Sequence, residues 1–284
     1  MDYHGGELKV QERAGLLKEA SALKKSVRDH LPEVAARFIE QQVMLIIGLR
    51  DAKGLVWATV IYGSPGFVKA LDPTTLSISS LPLTSDPAFD GIRAGQAIGM
   101  LAIDFSSKRR MRVNGKITFV HEGGFQVQTS EVYANCPKYI QSRSFSEFRP
   151  LTKNKPILST QLNQEQMNQI SQSNTFFIAT CSSETGADAS HRGGLAGFVQ
   201  VVDQRTLLVQ DYRGNAMFNT LGNIEANPQT GLLFLDFEAG DMLQMNGEAA
   251  IQWTGLERAL CIRISQIRSV AMGFPLRWEA DGHT

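Results

Sequence analysis

The chain contains an internal repeat with an offset of 131 residues. Residues 65–78 align with residues 196–209 without a gap, and six of the fourteen aligned pairs are identical. These are Gly66 and Gly197, Phe67 and Phe198, Val68 and Val199, Asp72 and Asp203, Thr75 and Thr206, and Leu76 and Leu207. At an offset of 132, Asn114–Gly115 falls on Asn246–Gly247. A repeat of about 80 to 100 residues is too long for a solenoid unit and typical of a small domain, so we predict two related domains.

Both copies show the pattern of short strands joined by tight turns. Each begins with an apolar segment, 44–47 or 176–179, and a turn containing glycine follows at 51–54 or 183–186. After a second strand, a third ends near Ile78 or Val209, a fourth spans 100–105 or 232–237, and a fifth passes through Asn114 or Asn246. Many short strands with few helices predict a mainly β (α+β) fold with a small antiparallel barrel in each copy.

Helices are predicted beside the barrels and a linker between them. Apolar residues at a helical spacing, Leu16, Ala20, Leu23 and Val27, predict an amphipathic helix, and a second helix is expected from Pro32 through Phe38. Basic residues and prolines in 141–158 indicate an ordered linker, after which Thr160 is expected to cap a helix through Ile170. The predicted domains are a helical segment (1–37), a first barrel (38–140), a linker (141–160) and a second barrel with the C-terminal segment (161–284).

The charge of the whole molecule gives no reason to expect a nucleic-acid or membrane partner. Lys and Arg number 28, and so do Asp and Glu. The longest apolar stretch, 43–49, is far too short to span a membrane. The first residues lack the pattern of a secretion signal and the three cysteines form no Cys-x-x-Cys pair, so we expect a cytoplasmic protein. The histidines show no metal-ligand spacing, so no metal site is expected.

The two copies differ most at two places, and there we expect the chemistry. In the second strand, residues 188–194 (DASHRGG) align with residues 57–63 (WATVIYG). In the fifth strand, residues 108–115 (KRRMRVNG) align with residues 240–247 (GDMLQMNG). Because side chains of a strand alternate between its faces, Arg110 and Arg112 share one face. Each copy therefore contributes a different set of cationic side chains.

These differences are complementary if the copies pack about a pseudo-twofold axis, as the subunits of a symmetric dimer do. Such an intrachain pseudo-dimer brings together Arg110, Arg112, His191 and Arg192, four potential cations that suit a phosphate group. Arg213, in the glycine-containing segment 211–215, is expected to complete the phosphate site. The pseudo-symmetric position receives Val60, Ile61, Met242 and Gln244 and is predicted to be vestigial.

A set of motifs spread over nearly the whole chain carries a family resemblance. In the second copy they are DASHRGG (188–194), DYRGN (211–215), FNTLGNI (218–224) and NP (227–228); in the first they are HGGE (4–7), RMRVNG (110–115) and NCP (135–137), with PLRW (275–278) at the end. Together they resemble the pyridoxamine 5'-phosphate oxidase-like, FMN-binding split-barrel family, and more narrowly an internally duplicated branch of it.

The resemblance implies two tandem split barrels, FMN bound between them and redox chemistry at the flavin ring. The residues implied to contact FMN are Ser190, His191, Arg192, Arg213, Asn215 and Asn219, together with Arg110 and Arg112 from the first barrel. Arg277 and Trp278 are expected either to cover the flavin ring or to close the C-terminal barrel. The PLRW ending departs from the Arg-Leu-x-Pro ending of true pyridoxamine phosphate oxidases, so that activity is not predicted.

The expected function is therefore that of an FMN-dependent oxidoreductase. Electrons would pass between a nicotinamide cofactor or a separate reductase and an unidentified small-molecule substrate, and the sequence names no catalytic acid or base. Two alternatives stay open: a flavin-carrying module without its own substrate, and a haem-binding split barrel with His191 as an iron ligand. At single residues, His191 could instead be structural, the run 108–112 a solvated strand edge and Cys136 a buried apolar residue. The fused pair could also form a homodimer.

Overall fold

The computed structural model describes residues 3–80, 86–151, 154–214 and 216–281. The helices are α1 (Gly5–Arg13), α2 (Leu17–Leu23), α3 (Glu33–Glu40), α4 (Gln164–Gln172) and α5 (Asn219–Ala226). The strands up to the middle of the chain are β1 (Met44–Arg50), β2 (Val56–Tyr62), β3 (Val68–Asp72), β4 (Thr75–Ile78), β5 (Ala97–Asp104), β6 (Arg109–His121), β7 (Gly124–Asn135), β8 (Arg143–Phe148) and β9 (Ile157–Ser159). The remaining strands are β10 (Thr175–Ser182), β11 (Gly186–Gly193), β12 (Val199–Asp203), β13 (Thr206–Gln210), β14 (Gln229–Leu235), β15 (Met242–Thr254), β16 (Glu257–Val270) and β17 (Leu276–Ala280).

Each half of the chain forms one large sheet, and the two sheets have the same strand order. The first is β2-β1-β5-β6-β7-β4-β3, and the second is β11-β10-β14-β15-β16-β13-β12 with β9 added beside β16. Each sheet surrounds its own apolar core. The predicted fold class, mainly β with two split barrels and flanking helices, is confirmed. The equal strand order is what the internal repeat in the sequence leads us to expect.

A third apolar core lies between the barrels and explains the unbroken apolar runs in β1 and β10. In β1, Leu45, Ile47 and Leu49 point into the first barrel, whereas Met44 and Ile46 join the core between the barrels. In β10, Phe176 and Ile178 point into the second barrel, whereas Phe177 and Ala179 face the first. Both faces of each strand are therefore buried, and alternation with polar residues is lost.

Two glycines allow the barrels to approach closely. A Cβ atom on Gly99 would lie 2.5 Å from the backbone of Asp188, and a Cβ atom on Gly231 would lie 2.6 Å from the backbone of Trp57. Both distances are too short for real Cβ contacts, and the obstacle in each case is backbone. The second strand of each barrel thus passes directly over a glycine of the other.

The structure corrects several of the predicted strands. The third strand of each half is a hairpin, β3–β4 and β12–β13. The hairpin forms because Asp72 and Asp203 each begin a tight turn, in which the carboxylate accepts a backbone N–H from Thr74 or Arg205. Strands β7 and β16, absent from the prediction, run back along β6 and β15. The predicted linker contains two strands, because β8 pairs with β17 and β9 pairs with β16.

The predicted helices also differ from those in the structure. Of the stripe expected to pack on the core, only Ala20 is buried, because α2 ends at Leu23 and a 3-10 turn follows. Thr160 does not cap α4; Asn163 does, in a reciprocal capping box with Gln166. Helix α3 covers the segment expected from Pro32 onward and continues to Glu40. No helix among the described residues is long and apolar enough to cross a membrane.

The N-terminal helix α1 lies within the predicted helical segment 1–37, although no helix was assigned to its residues, and it packs on α5 of the second barrel. His4 and Glu7 begin α1 with a capping box: the His4 side chain accepts the N–H of Gly6, and the Glu7 carboxylate accepts the N–H of His4. Both side chains are buried. Helix α1 thus brings the carboxylate of Glu7 to the N-terminal end of α5.

Candidate functional site

The strands that differ between the two copies meet in one cleft between the barrels. Strand β11 of the second barrel lies against β5 and β6 of the first. The cleft along this contact has a volume of about 720 Å³, including its open mouth. Six of the predicted site residues line it: Arg110, Arg112, Ser190, His191, Arg192 and Asn219.

Arg112 is buried, and most of its donors are bound within the protein. Its Nε donates to the carbonyl oxygen of Ala189 at 3.1 Å, and Nη1 donates to the Tyr133 hydroxyl at 2.6 Å and to Asp188 Oδ2 at 3.0 Å. Nη2 donates to Ser190 Oγ. Since a guanidinium has five N–H donors, only one remains for a ligand. Arg112 therefore mainly joins β6 to β11 at the floor of the cleft.

Arg110 and His191 form a direct contact between the barrels. Nη1 of Arg110 lies 2.7 Å from Nδ1 of His191. Because arginine only donates, Nδ1 accepts and the imidazole proton lies on Nε2, a buried atom without a hydrogen-bond partner. Burial and the positive charges of Arg110, Arg192 and Arg143 hold the pKa of His191 well below its usual range. The imidazole is therefore neutral, with one unused N–H.

Arg110 is a buried cation of the cleft that forms no ion pair with a carboxylate of a described residue. Burial and the neighbouring Arg112 and Arg192 lower its pKa to about 10, so it stays charged at neutral pH. Its Nε is buried and also lacks an acceptor. An unpaired, largely desolvated guanidinium is unfavourable, and an anion bound in the cleft would compensate for it.

The second-barrel residues that were predicted to bind phosphate lie in different environments. Arg192 forms an ion pair with Asp211 at 2.6 Å, and Asp211 also accepts from Arg258 at 3.0 Å, so two cations share one carboxylate. Arg213 is exposed and is not among the residues that line the cleft. Asn215 lies outside the described residues.

The first turn of α5 faces the cleft without a side-chain cap. Phe218 occupies the N-cap position in the left-handed conformation and makes no capping bond, while Thr220 shares a hydrogen bond of 2.9 Å with Ser190. Uncapped N–H groups at a helix start favour an anion. Positive φ values occur at Tyr139 (66°), Ala216 (60°) and Phe218 (61°), and all three residues line the cleft. Backbone strain of this kind concentrates at binding sites.

A buried carboxylate cluster supports the floor of the cleft, and sequence patterns did not reveal it. Asp188 is buried beside Arg112, and Nδ2 of Asn114 donates both to Asp188 Oδ1 at 2.6 Å and to Oε2 of Glu131, a buried residue of β7, at 2.8 Å. Glu7 of α1 accepts a hydrogen bond from Asn219 at 2.6 Å. Burial, together with the negative charges of Asp188 and Glu131, raises the pKa of Glu7 to about 8. At neutral pH Glu7 is therefore mostly protonated, and it connects α1 to a residue that lines the cleft.

Arg277 and Trp278 do not line the cleft. Trp278 packs edge-to-face against Phe105 and Phe237 in the core between the barrels. Arg277 donates to backbone carbonyl oxygens, including that of Ala239 at 2.7 Å. Both lie on β17, which pairs with β8 in a separate small sheet, so the structure places them away from the cleft and next to the C-terminal end of the second barrel.

The end of β7 and the segment after it contribute lining residues that the strand pattern did not predict. They are Asn135, Cys136, Lys138 and Tyr139. The ring of Tyr139 stacks on that of Tyr212 across the mouth, with centroids 5.1 Å apart. The available signal was the NCP motif, which belongs to the family resemblance and stands directly before Lys138 and Tyr139.

The pseudo-symmetric position is filled by the protein itself. Asp86 is fully buried there, accepts a hydrogen bond from Thr59, and lies 3.2 Å from Nε2 of Gln244. Burial raises the pKa of Asp86. Of the other residues predicted for this position, Val60 and Met242 lie in the core between the barrels and Ile61 in the core of the first barrel.

The fold and the cleft define a split-barrel protein with a basic cleft between two unequal barrels. Residues 162–274, from the segment before α4 to the turn after β16, match the family model described as pyridoxamine 5'-phosphate oxidase. The second barrel thus matches the model of this family, which confirms the resemblance over that part of the chain.

Solved structures that match one half of the chain come from several bacteria. HupZ of Group A Streptococcus is 17% identical, with 40% of this chain and 98% of that chain covered and a TM-score of 0.33. The heme storage protein HutZ of Vibrio cholerae is 16% identical, with 39% and 93% covered and a TM-score of 0.30. An FAD-binding protein of Mesorhizobium loti is 10% identical, with 40% and 96% covered and a TM-score of 0.30. No curated protein matches the chain significantly.

Proposed function

We propose that the chain is an FMN-binding flavoprotein oxidoreductase with one FMN site in the cleft. It would transfer electrons between a nicotinamide cofactor or a partner reductase and a small-molecule acceptor. The observation that carries the proposal is the Arg110 guanidinium, which has no carboxylate partner among the described residues and contacts His191 across the cleft. The second of the two barrels that form this cleft matches the pyridoxamine 5'-phosphate oxidase family model.

The charges of the cleft fit a phosphorylated ligand. Arg112 is balanced by Asp188, whereas Arg192 and Arg258 share Asp211, and Arg110 has no carboxylate partner among the described residues. The cleft therefore holds an excess of positive charge in a molecule with no net charge. The uncapped start of α5 and the unused N–H groups of Arg110 and His191 are all donors, as phosphate and flavin oxygens require.

Bound FMN would supply the electron transfer at its ring, and the protein groups would hold and orient it. Arg110 would bind an anionic group, and Arg112 would keep Ser190 and β11 in place. His191 is held neutral with its proton on Nε2, so it serves as a hydrogen-bond donor. The aromatic pair Tyr139–Tyr212 limits the mouth of the cleft.

The contact between Arg110 and His191 favours flavin over haem. For His191 to ligate iron through Nε2, the imidazole proton would have to move to Nδ1. Nδ1 already faces a donor, Nη1 of Arg110, at 2.7 Å. Two donors would then oppose each other unless Arg110 moved away. Haem ligation by His191 is accordingly the second candidate.

Replacement of Arg110 tests the phosphate site. We expect Arg110→Gln to weaken FMN binding about 10- to 100-fold, because a charge-assisted hydrogen bond contributes roughly 1.5–3 kcal/mol. Riboflavin, which lacks the phosphate, should lose much less affinity. Lys116→Gln removes an exposed charge from the same strand and serves as the control. Fluorescence titration of the apoprotein gives both affinities; equal FMN affinity in the wild type and Arg110→Gln would contradict the proposal.

The absorbance of the purified protein separates the candidate functions. A flavin spectrum and FMN released on denaturation support the proposed cofactor, whereas a Soret band supports haem. Oxidation of NADH or NADPH with an added acceptor then separates an enzyme from a flavin carrier. If only a reductase fraction reduces the bound flavin, the nicotinamide cofactor is not the direct donor.

A further inference from the structure

A second concavity lies beside the cleft, on the first barrel. Its walls are the first turns of α3, the turn between β5 and β6, and the end of β7. The walls are mostly apolar and include Pro32, Val34, Phe38, Met111 and Pro137. The volume is about 1160 Å³, including the open side. We call this concavity the α3 groove.

The rim of the α3 groove carries charge of one sign. Arg28, Lys108, Arg109 and Arg110 line it, and no Asp or Glu does so among the described residues. None of these four forms an ion pair with a carboxylate of a described residue. The Arg109 guanidinium lies 4.9 Å from the centre of the Phe38 ring, so charge and apolar surface adjoin.

We propose that the α3 groove binds a small amphipathic organic anion. Its flat apolar body would lie against Val34 and Phe38, and its carboxylate or sulfonate would face Lys108 and Arg109. Charge complementarity supports this ligand, because an apolar pocket with a few convergent cations selects a ligand with one apolar and one anionic part. Val34 is 67% exposed at the groove, a large apolar surface open to such a ligand.

The α3 groove and the cleft share two lining residues, Arg110 and Asn135. An anion in the groove would thus lie next to a ligand of the cleft. The idea that this anion is the redox substrate rests on the proposed function. Binding of the anion to the groove does not, because the walls and rim of the groove come from the first half of the chain alone.

The test compares two fluorescent probes of similar apolar shape, anilinonaphthalene sulfonate and its uncharged analogue N-phenylnaphthylamine. We expect saturable binding of one sulfonate probe per chain, about tenfold or more tighter than the neutral probe. The double variant Lys108→Gln, Arg109→Gln should abolish that difference and leave the neutral probe unaffected. Val34→Glu, at an exposed position, should weaken sulfonate binding by repulsion. Lys116→Gln is the matched control and should bind both probes as the wild type does.

Circular dichroism and the thermal midpoint establish that each variant is folded before titration. Equal sulfonate affinity in the wild type, the double variant and Val34→Glu would overturn the proposal, and so would equal affinity of the two probes for the wild type. Titrations run with and without FMN keep the two proposals apart. Loss of FMN binding in Arg110→Gln bears on the cleft alone, whereas loss of sulfonate binding in the double variant with FMN affinity intact bears on the groove alone.

Discussion

At the scale of single residues, the buried carboxyl of Glu7 makes stability depend on pH. Its pKa is raised from 4.5 to about 8 by burial and by neighbouring carboxylates. The folded protein therefore keeps a proton that the unfolded chain releases. The contribution of Glu7 to the free energy of unfolding is fully present below about pH 4.5 and is lost as the pH rises through 8. Over that range the free energy of unfolding falls by at most about 1.4 kcal/mol per pH unit.

Glu7→Gln should flatten that dependence, because the substituted side chain cannot ionise. The free energy of unfolding is measured in urea at several pH values. Between pH 5 and 9 it should fall by a few kcal/mol less in Glu7→Gln than in the wild type. Glu12→Gln, an exposed change on the same helix, should keep the slope of the wild type. Parallel curves for Glu7→Gln and the wild type would show that Glu7 ionises normally.

At the scale of the elements, the close crossing of β5 and β11 depends on a missing side chain. A Cβ atom on Gly99 would lie 2.5 Å from the Asp188 backbone, and backbone cannot move aside as a side chain can. Gly99→Ala is therefore expected to destabilise the protein by about 1–3 kcal/mol and to weaken FMN binding, because it displaces β11. Gly5→Ala meets no atom within 4 Å and should leave the unfolding midpoint unchanged or slightly higher. Similar midpoints for the two variants would contradict this account.

The elements also show which parts of the structure could be predicted from sequence. Alternation along β6 places Arg110 and Arg112 on one face, and this local rule holds in the structure. The hairpin at Asp72 was missed because its turn, closed by the Asp72 side chain, is so short that the sequence pattern predicts one strand in place of two. The role of Glu7 could not be predicted, because Glu7 and Asn219 are 212 residues apart in sequence. The periodicity of apolar residues indicates local structure and not contacts between such distant residues. The residue type of Arg112 also does not indicate that nearly all of its N–H donors are hydrogen-bonded to acceptors within the protein.

At the scale of the whole molecule, the two barrels share a core and should unfold together. Phe177, Leu233 and Phe274 are fully buried in the cluster between the barrels, alongside Ile46 and Leu101 of the first. If one barrel unfolded alone, it would expose the face that its partner covers. That apolar exposure is unfavourable by roughly 25 cal/mol per Å², so a half-folded intermediate should not accumulate.

Two tryptophans allow this cooperativity to be measured. Trp57 lies in the first barrel and Trp253 at the second, so variants with Trp57 or Trp253 as the single tryptophan report on one barrel each. We expect equal urea midpoints from the two probes and from circular dichroism. Phe177→Ala, in the shared core, should lower the free energy of unfolding by about 3–5 kcal/mol and shift both urea midpoints together. Phe125→Ala, in the core of the first barrel only, should do the same, because barrels that unfold as one unit transmit the loss to each other. If Phe125→Ala shifted only the unfolding transition reported by Trp57, the barrels would be separate folding units. The cleft between them would then form when two independently folded domains dock.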